Sequence, residues 1–424
     1  MATRIPIDGK YKWLVVGMLW FVCFFNYADR QAMSAVFPVL EKEFGFDKQQ
    51  LGLIGSAFMW VYAGAAPLAG WVCDRAVRKQ LILGGCFFWS LVTVTTGWCS
   101  KLWHFVTVRA LEGFGETFYF PASMSLLSDY HSKATRSRAL SWHQSSVYAG
   151  TILGSWIGAW LAEHWGWRFG FYIFGVAGMV LSLLLFRFLI EPKRGASEEA
   201  GFPEMSEVHP PLAETLRDIF ATPTAWLLML VFVGANFVAT VFLTWTPTFL
   251  YEKFHYKLST AGLSGTVFIH AASACAVPLA GWVADYCAAR WRGGRIMPQM
   301  GGLILGASFV ALVGSTTNQT TLIIAMTIFG ISKGFYDAGI FASLYDVIPA
   351  RSRGSAAGVM NTVGWTGGAL GPYLTGWYAK NGSYGSDVAN MSHFISNCGA
   401  IYVVGAVILF FAIRLSPPRT AAAS

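Results

Sequence analysis

The chain has 424 residues, 55% of them hydrophobic and 12% charged, with a mean hydropathy of +0.49. So few charges cannot cover the surface of a soluble protein of this size, which excludes that class. The net charge of +8 would suit nucleic acid, but the basic residues are spread over alternate short loops instead of one patch, so no nucleic-acid partner is expected.

Runs of roughly 20 apolar residues are enough to cross a hydrocarbon layer of roughly 30 Å as a helix. They recur at 12–37, 51–73, 80–99, 102–128, 138–162, 168–190, 222–250, 261–284, 296–315, 320–346, 354–378 and 396–414. These spans are too long and too continuously apolar for barrel strands, and lipid admits only helices or closed barrels. The expected fold class is therefore an all-α integral membrane protein with twelve transmembrane helices. The first ten residues carry charges and no apolar core with a cleavage motif, so the first span is expected to be a retained helix.

Loops on the side of the N-terminus collect nineteen Lys and Arg, from Arg4 to Arg419, and the other side collects seven, from Lys42 to Lys380. The positive-inside rule then places both termini in the cytoplasm, in a plasma (inner) membrane. The seven cysteines, at 23, 73, 86, 99, 275, 287 and 398, make no CxxC or Cys/His spacing and read as packing residues, with no metal site.

Residues 191–221, EPKRGASEEAGFPEMSEVHPPLAETLRDIFA, form the one long hydrophilic stretch, rich in acids and with four prolines. It divides the chain into an N-terminal six-helix bundle, 1–190, a cytoplasmic linker, 191–221, and a C-terminal six-helix bundle, 222–424. The halves resemble each other. PLAGWV and a following acid, Asp74 or Asp285, recur 211 residues apart, and GFGETFYFPASMSLLSD at 113–129 matches GISKGFYDAGIFASLYD at 330–346 at an offset of 217. Both of the latter are followed by Arg-x-Arg, at Arg136/Arg138 and Arg351/Arg353. Internal duplication in a polytopic helical protein points to a transporter that rocks one repeat against the other.

Gly70, Asp74, Arg75, Arg78 and Lys79 fit the G-x-x-x-D-R-x-x-R-K/R loop between the second and third spans of the major facilitator superfamily, which the whole chain resembles. NYADR at 26–30 and RALEGFGE at 109–116 look like the first-span and fourth-span signatures of its anion:cation symporter family of sugar-acid and organic-anion transporters. They also bear a weaker resemblance to Spinster-like carriers. The resemblance implies a pseudo-symmetric bundle whose first, fourth, seventh and tenth helices line a central cavity. It implies coupling protons at Asp29 and Glu116, and a cytoplasmic latch of Asp74, Arg75, Arg78, Lys79, Arg136 and Arg138. The second copy keeps Asp285 and Arg290 but has Tyr286 after the acid, so its latch should be weaker.

Ionisable residues inside spans cost roughly 3 kcal/mol or more each, so they are functional candidates. Here they are Asp29, Arg30, Arg109, Glu112, Glu116, Lys333 and Asp337, with Arg187 near a span end. Arg109, Glu112 and Glu116 are three and four apart and share one helix face. Lys333 falls at the repeat position of Glu116. Four acids face three bases, and a buried carboxylate without a cation to itself is a natural proton site. Glu112 departs from the symporter motif, and either neutralises Arg109 or adds a second proton site. Arg30 and Arg109 offer forks that fit a carboxylate. Lys333 and Asp337 either cancel each other or meet substrate. Tyr27, Tyr62, Tyr119, Gln144, His270 and Asn361 are polar candidates for lining the cavity, each with helix packing as its plainer role.

The expected function is proton-coupled symport of a small organic anion, a sugar acid or other carboxylate, by a rocker-switch monomer in the lipid bilayer. No cofactor beyond the coupling proton is expected. A Spinster-like lysolipid carrier and a non-transporting nutrient sensor are the alternatives. No nucleophile triad or metal spacing supports an enzyme, so there are no catalytic residues to name.

Overall fold

A computed structural model describes residues 10–195, 217, 219–349 and 353–416. The expected linker residues 196–216, the Arg351 position and the Asp74 side chain lie outside the described residues. The described chain is helical: α1 (Tyr11–Ala35), α2 (Phe37–Phe44), α3 (Lys48–Arg75), α4 (Arg78–Thr96), α5 (Leu102–Thr117), α6 (Tyr119–Tyr130), α7 (Lys133–Trp165), α8 (Trp167–Phe188), α9 (Pro223–Lys253), α10 (Leu258–Arg290), α11 (Ile296–Ser315), α12 (Gln319–Asp337), α13 (Ile340–Val347), α14 (Arg353–Asn381) and α15 (Asp387–Leu415). Helix starts follow local chemistry. Pro223 opens α9 after extended Thr222, where its fixed φ and missing N–H cost nothing. Asn318 and Ser386 accept from the N–H groups of Thr321 and Ala389 to cap α12 and α15. Gly166, at φ +91° between α7 and α8, makes a turn that a side chain would strain.

Eight segments are long and apolar enough to cross a membrane: Tyr11–Ala35, Lys48–Cys73, Trp167–Phe188, Pro223–Lys253, Leu258–Arg290, Ile296–Ser315, Gln319–Val347 and Asp387–Leu415. The expected span 102–128 is two helices, α5 and α6, meeting at Phe118, and 320–346 divides into α12 and α13 at Ala338 and Gly339. Large apolar side chains such as Phe21, Leu183, Leu184, Ile304, Val403 and Phe411 stand exposed. Such faces suit hydrocarbon and would be a liability in water. Trp98, Trp103 and Trp165, each at a helix end, are the tryptophans exposed by 60% or more besides Trp282 and Trp142, as an interfacial belt would have them.

The helices gather into two compact units: Met1–Phe44 with Ala57–Ser206 and Leu258–Leu263, and Gly45–Ser56 with Glu207–Lys257 and Ser264–Ser424. Within the first, α7 lies against α1 along a glycine stripe. A Cβ at Gly150 would sit 2.5 Å from the Phe24 carbonyl oxygen, one at Gly158 would sit 2.6 Å from Ala32 Cβ, and one at Gly154 would strike the Ala28 backbone. Within the second, α14 meets α9 in the same way: a Cβ at Gly371 would lie 2.7 Å from Thr240 Oγ1, and one at Gly367 would strike the Val233 carbonyl. Small residues let backbones approach closely where lipid supplies no hydrophobic force between helices.

Each unit also carries an arginine network at the start of its third long helix. Arg78, 1% exposed, pairs with Asp129 and with Glu191 at 2.8 Å and donates to Ser125 Oγ at 3.0 Å. Burial opposes its charge, but Asp129 and Glu191 more than offset that and hold its pKa above the ordinary range. Glu191 further accepts from the Lys79 N–H at 2.8 Å, so an acid sits on the N-terminus of α4, where the helix dipole favours it. Arg75 lies 4.4 Å over the Trp71 ring, Arg136 Nε donates to the His131 carbonyl, Arg138 is exposed, and Gly70 faces open space. In the second unit the equivalent of Arg78, 217 residues on, is Arg295. It bonds Asp346, the equivalent of Asp129, at 2.9 Å and Asp285 at 2.6 Å. Arg290, expected to serve there, instead stacks 3.6 Å over Tyr286. Arg295 is 25% exposed and its acids 52% and 70%, so water weakens this copy.

Two stability predictions follow from this packing. Gly154→Val should cost at least about 1–3 kcal/mol through overpacking, seen as a lowered thermal midpoint in tryptophan fluorescence, whereas Gly17→Ala, into open space, should change it little. Arg78→Gln should cost roughly 3 kcal/mol by leaving the part-buried acids Asp129 and Glu191 without their cation, against less than about 1 kcal/mol for Arg295→Gln. Equal losses would contradict the asymmetry.

Candidate functional site

Besides Arg78, the first unit holds five charged side chains at most 6% exposed: Asp29 and Arg30 on α1, and Arg109, Glu112 and Glu116 on α5. Two close approaches bring them together. The glycine stripe of α7 fixes α1, and Gly113 lets α5 lie on α3, where a Cβ would meet the Phe58 backbone. The Phe58 ring then serves both arginines, with the Arg30 guanidinium 4.2 Å and the Arg109 guanidinium 4.7 Å from its centroid. Tyr27 and Tyr62 complete the surround of Arg30 at 4.7 and 5.6 Å. Aromatic faces stabilise a guanidinium while withholding the hydrogen bonds that water would give it.

The charges pair in a definite way. Arg30 Nη2 pairs with Glu116 Oε2 and reaches Asn26 Oδ1 at 3.5 Å. Arg109 Nη1 pairs with Glu112 Oε2 at 2.5 Å, one turn along α5. Asp29 has no cation among the described residues within ion-pair distance. Its Oδ1 accepts from the Arg30 backbone N–H at 2.6 Å, and its Oδ2 lies 3.1 Å from Thr93 Oγ1 on α4. Neighbours in sequence are therefore not partners in charge: Arg30 belongs to Glu116, and Asp29 stands alone. Among these five, three acids face two bases, and the surplus is one buried negative charge. Several polar atoms lack hydrogen-bond partners, among them Arg30 Nε, Arg109 Nε and Glu116 Oε1. Each arginine thus spends one edge on a carboxylate and keeps a donor unspent, in a setting where an unsatisfied buried polar group costs about 1–3 kcal/mol.

The remaining candidates scatter. Tyr119 is 1% exposed, with its hydroxyl 2.8 Å from both the Leu19 carbonyl and His143 Nε2; it is committed to the core between α1 and α7. Gln144 and Asn361 are exposed on α7 and α14. In the second unit Lys333 and Asp337 form an ion pair one turn apart on α12, and Lys333 lines a small pocket with His270, Phe242, Ile269 and Phe329. The pair that was expected either to cancel or to bind substrate is at least internally paired. Phe58, Thr93 and Thr96 are site neighbours that sequence reasoning did not single out. A phenylalanine or threonine in an apolar span carries no signal of its own, although Thr93 and Thr96 share a helix face three residues apart.

These observations gain context from similar proteins. The chain matches the Major Facilitator Superfamily over residues 19–372 and 301–423. It is 27% identical over 418 residues to "Probable anion transporter 4, chloroplastic" of Oryza sativa subsp. japonica, covering 94% of this chain and 68% of that one. It is 25% identical over 435 residues to the "Probable L-galactonate transporter" of Escherichia coli (strain K12), covering 99% and 92%. Among solved structures it is similar, with a TM-score of 0.84 and 22% identity over 96% of this chain and 98% of the other, to a bacterial homolog of the human lysosomal transporter Spinster in an inward-facing and unoccupied conformation. At that identity the likeness carries the fold alone. The family match, spanning nearly the whole chain, agrees with the all-helical architecture and answers the enzyme alternative in the negative: the chain belongs to the Major Facilitator Superfamily.

Proposed function

We propose that the protein is a proton-coupled symporter of a small organic anion, a sugar acid or other hydroxylated carboxylate. It works by alternating access between two six-helix bundles, 1–190 and 222–424, joined by the linker 191–221. In this reading twelve helices cross the membrane with both termini in the cytoplasm. The observation that carries the reading is the pairing pattern. Both arginines are already held by carboxylates, and a third carboxylate, Asp29, has no cation within ion-pair distance among the described residues. What supports the substrate class is the similarity to proteins named for anion and L-galactonate transport.

Coupling then follows from competition for one cation. A substrate carboxylate that takes the fork of Arg30 must displace Glu116, and a displaced carboxylate in a buried site persists only if it is neutralised. A proton on Glu116 is the available means, so the anion and the proton enter together. Substrate on Arg109 would release Glu112 by the same exchange. Asp29, next to Arg30 in the chain, holds the surplus charge and is the second proton carrier. Arg78, Asp129 and Glu191, with Arg75, Lys79, Arg136 and Arg138, form the latch at the cytoplasmic ends.

Purified protein in proteoliposomes should accumulate labelled L-galactonate, or another member of a sugar-acid panel, faster under an inward proton gradient than without one. Asp29→Asn and Glu116→Gln should abolish gradient-driven accumulation yet retain exchange of external for internal anion. Arg30→Lys should raise the half-saturating concentration by about tenfold, the worth of a lost bidentate contact. Uptake indifferent to the gradient would sink the coupling, and movement of lysolipid in place of carboxylates would sink the substrate class.

A further inference from the structure

Thr93 sits in the wall of the charge cluster with more acceptors than it can serve. Its hydroxyl lies 2.9 Å from the Trp89 carbonyl one turn back on α4, 3.1 Å from Asp29 Oδ2 on α1, and 3.4 Å from Glu112 Oε1 on α5. A hydroxyl has one hydrogen to give, and an ionised carboxylate only accepts. With Asp29 and Glu112 both ionised, one carboxylate oxygen would face the lone pairs of Thr93 in a site closed to water, where every residue concerned is at most 4% exposed. A single added proton resolves the conflict: one acid donates to Thr93 Oγ1, and Thr93 donates to the other acid.

We infer that Thr93 is a proton-relay residue, which shares one proton between Asp29 and Glu112 and thereby links protonation of Asp29 to the release of Arg109. The resting arrangement follows from the ion pairs. Glu112 already has Arg109, so the proton resides on Asp29 and the chain runs Asp29 O–H to Thr93 O–H to Glu112. In transfer, Thr93 Oγ1 takes the proton of Asp29 Oδ2 as its own proton passes to Glu112 Oε1. The hydroxyl is restored, Asp29 becomes the carboxylate and Glu112 the acid, and nothing further is consumed. A neutral Glu112 holds Arg109 less firmly, and the guanidinium is freed for an incoming anion.

The groups facing this relay are few. From α1 they are Asp29 and Arg30, and from α5 Arg109, Glu112 and Glu116. Cys86 of α4 lies near Asp29 and Cys99, just past the end of α4, near Glu112, and Thr96 Oγ1 of α4 approaches Glu112 Oε1 at 3.5 Å. Arg30 is occupied by Glu116, so it does not relieve Asp29. Trp89, whose carbonyl is the third acceptor, is bonded through its backbone within α4, so the Thr93 hydrogen can leave it without orphaning a group.

The relay deepens the proton-coupled reading and rests on it for its role in transport, but it is tested without any substrate. Infrared difference spectra of the full chain in lipid nanodiscs, titrated with acid, should contain a protonated-carboxyl band that Asp29→Asn removes. Thr93→Val, which keeps the shape and the charge but deletes the hydroxyl, should move the midpoint of that band by about one pH unit, the scale of coupling between interacting acids. Thr93→Ser should restore the wild-type midpoint, which a packing role for the residue would not require. Thr93→Ala, a simple truncation, gives the same reading if the valine variant does not fold. A band of unchanged midpoint in both hydroxyl-free variants, or no carboxyl band dependent on Asp29 at any pH, overturns the relay whether or not anion transport itself is found.

Discussion

The contact on which the rest of the site depends is the ion pair between Arg30 of α1 and Glu116 of α5. Both side chains are buried, and charges taken from water stay charged only when geometry and neighbours replace what water gave. Pairing Arg30 with Glu116 across two helices has a consequence for its neighbour in sequence. Asp29 is denied the cation beside it and must find Thr93 and a backbone N–H instead. The resulting cluster is overdrawn by one negative charge, and a proton is the smallest species that can balance it.

That constraint explains why the surrounding packing is so close. Arg30 and Arg109 share the faces of one ring, Phe58, and this works only because Gly113 lets α5 approach the α3 backbone and because Gly150, Gly154 and Gly158 seat α7 on α1. An aromatic neighbour supports a guanidinium without satisfying its donors. Each arginine therefore keeps unspent hydrogen-bonding capacity in a dry place. A binding site for a carboxylate needs that property, and a purely structural ion pair would not.

The fold was legible where lipid imposes a rule on every residue. Helices in hydrocarbon must be apolar along their length, so the runs stand out; the run at 296–315 coincides with α11 end to end. Breaks at Phe118 and Gly339 went unread although each carries a local signal: Pro121 cannot bond the carbonyl of Thr117, where α5 ends, and Gly339 stands at the joint of α12 and α13, but the apolar runs continue across both. The charged candidates were conspicuous because each is costly in a span. Their partners were not, since sequence spacing constrains neighbours on one helix but not contacts between helices. The i,i+3 pair of Arg109 and Glu112 could be anticipated. The reach of Glu116 to Arg30, 86 residues away, could not, and nor could the role of Arg295 in place of Arg290. Tyr119 shows the two readings a polar residue in a span allows: it was a candidate for the cavity wall with helix packing as its plainer role, and its hydroxyl goes to the Leu19 carbonyl and His143.

The central claim is that an anion and a proton cross together because the anion and Glu116 contend for the same buried cation, Arg30, and the carboxylate that is displaced takes the proton. It is tested most directly by recording lumenal pH in proteoliposomes with no imposed gradient while L-galactonate, or the sugar acid found to be taken up, is added outside. The account predicts that the lumen acidifies with the time course of uptake, and that Asp29→Asn takes up or exchanges anion without acidification. Anion entry into wild-type vesicles with no change in lumenal pH would contradict it.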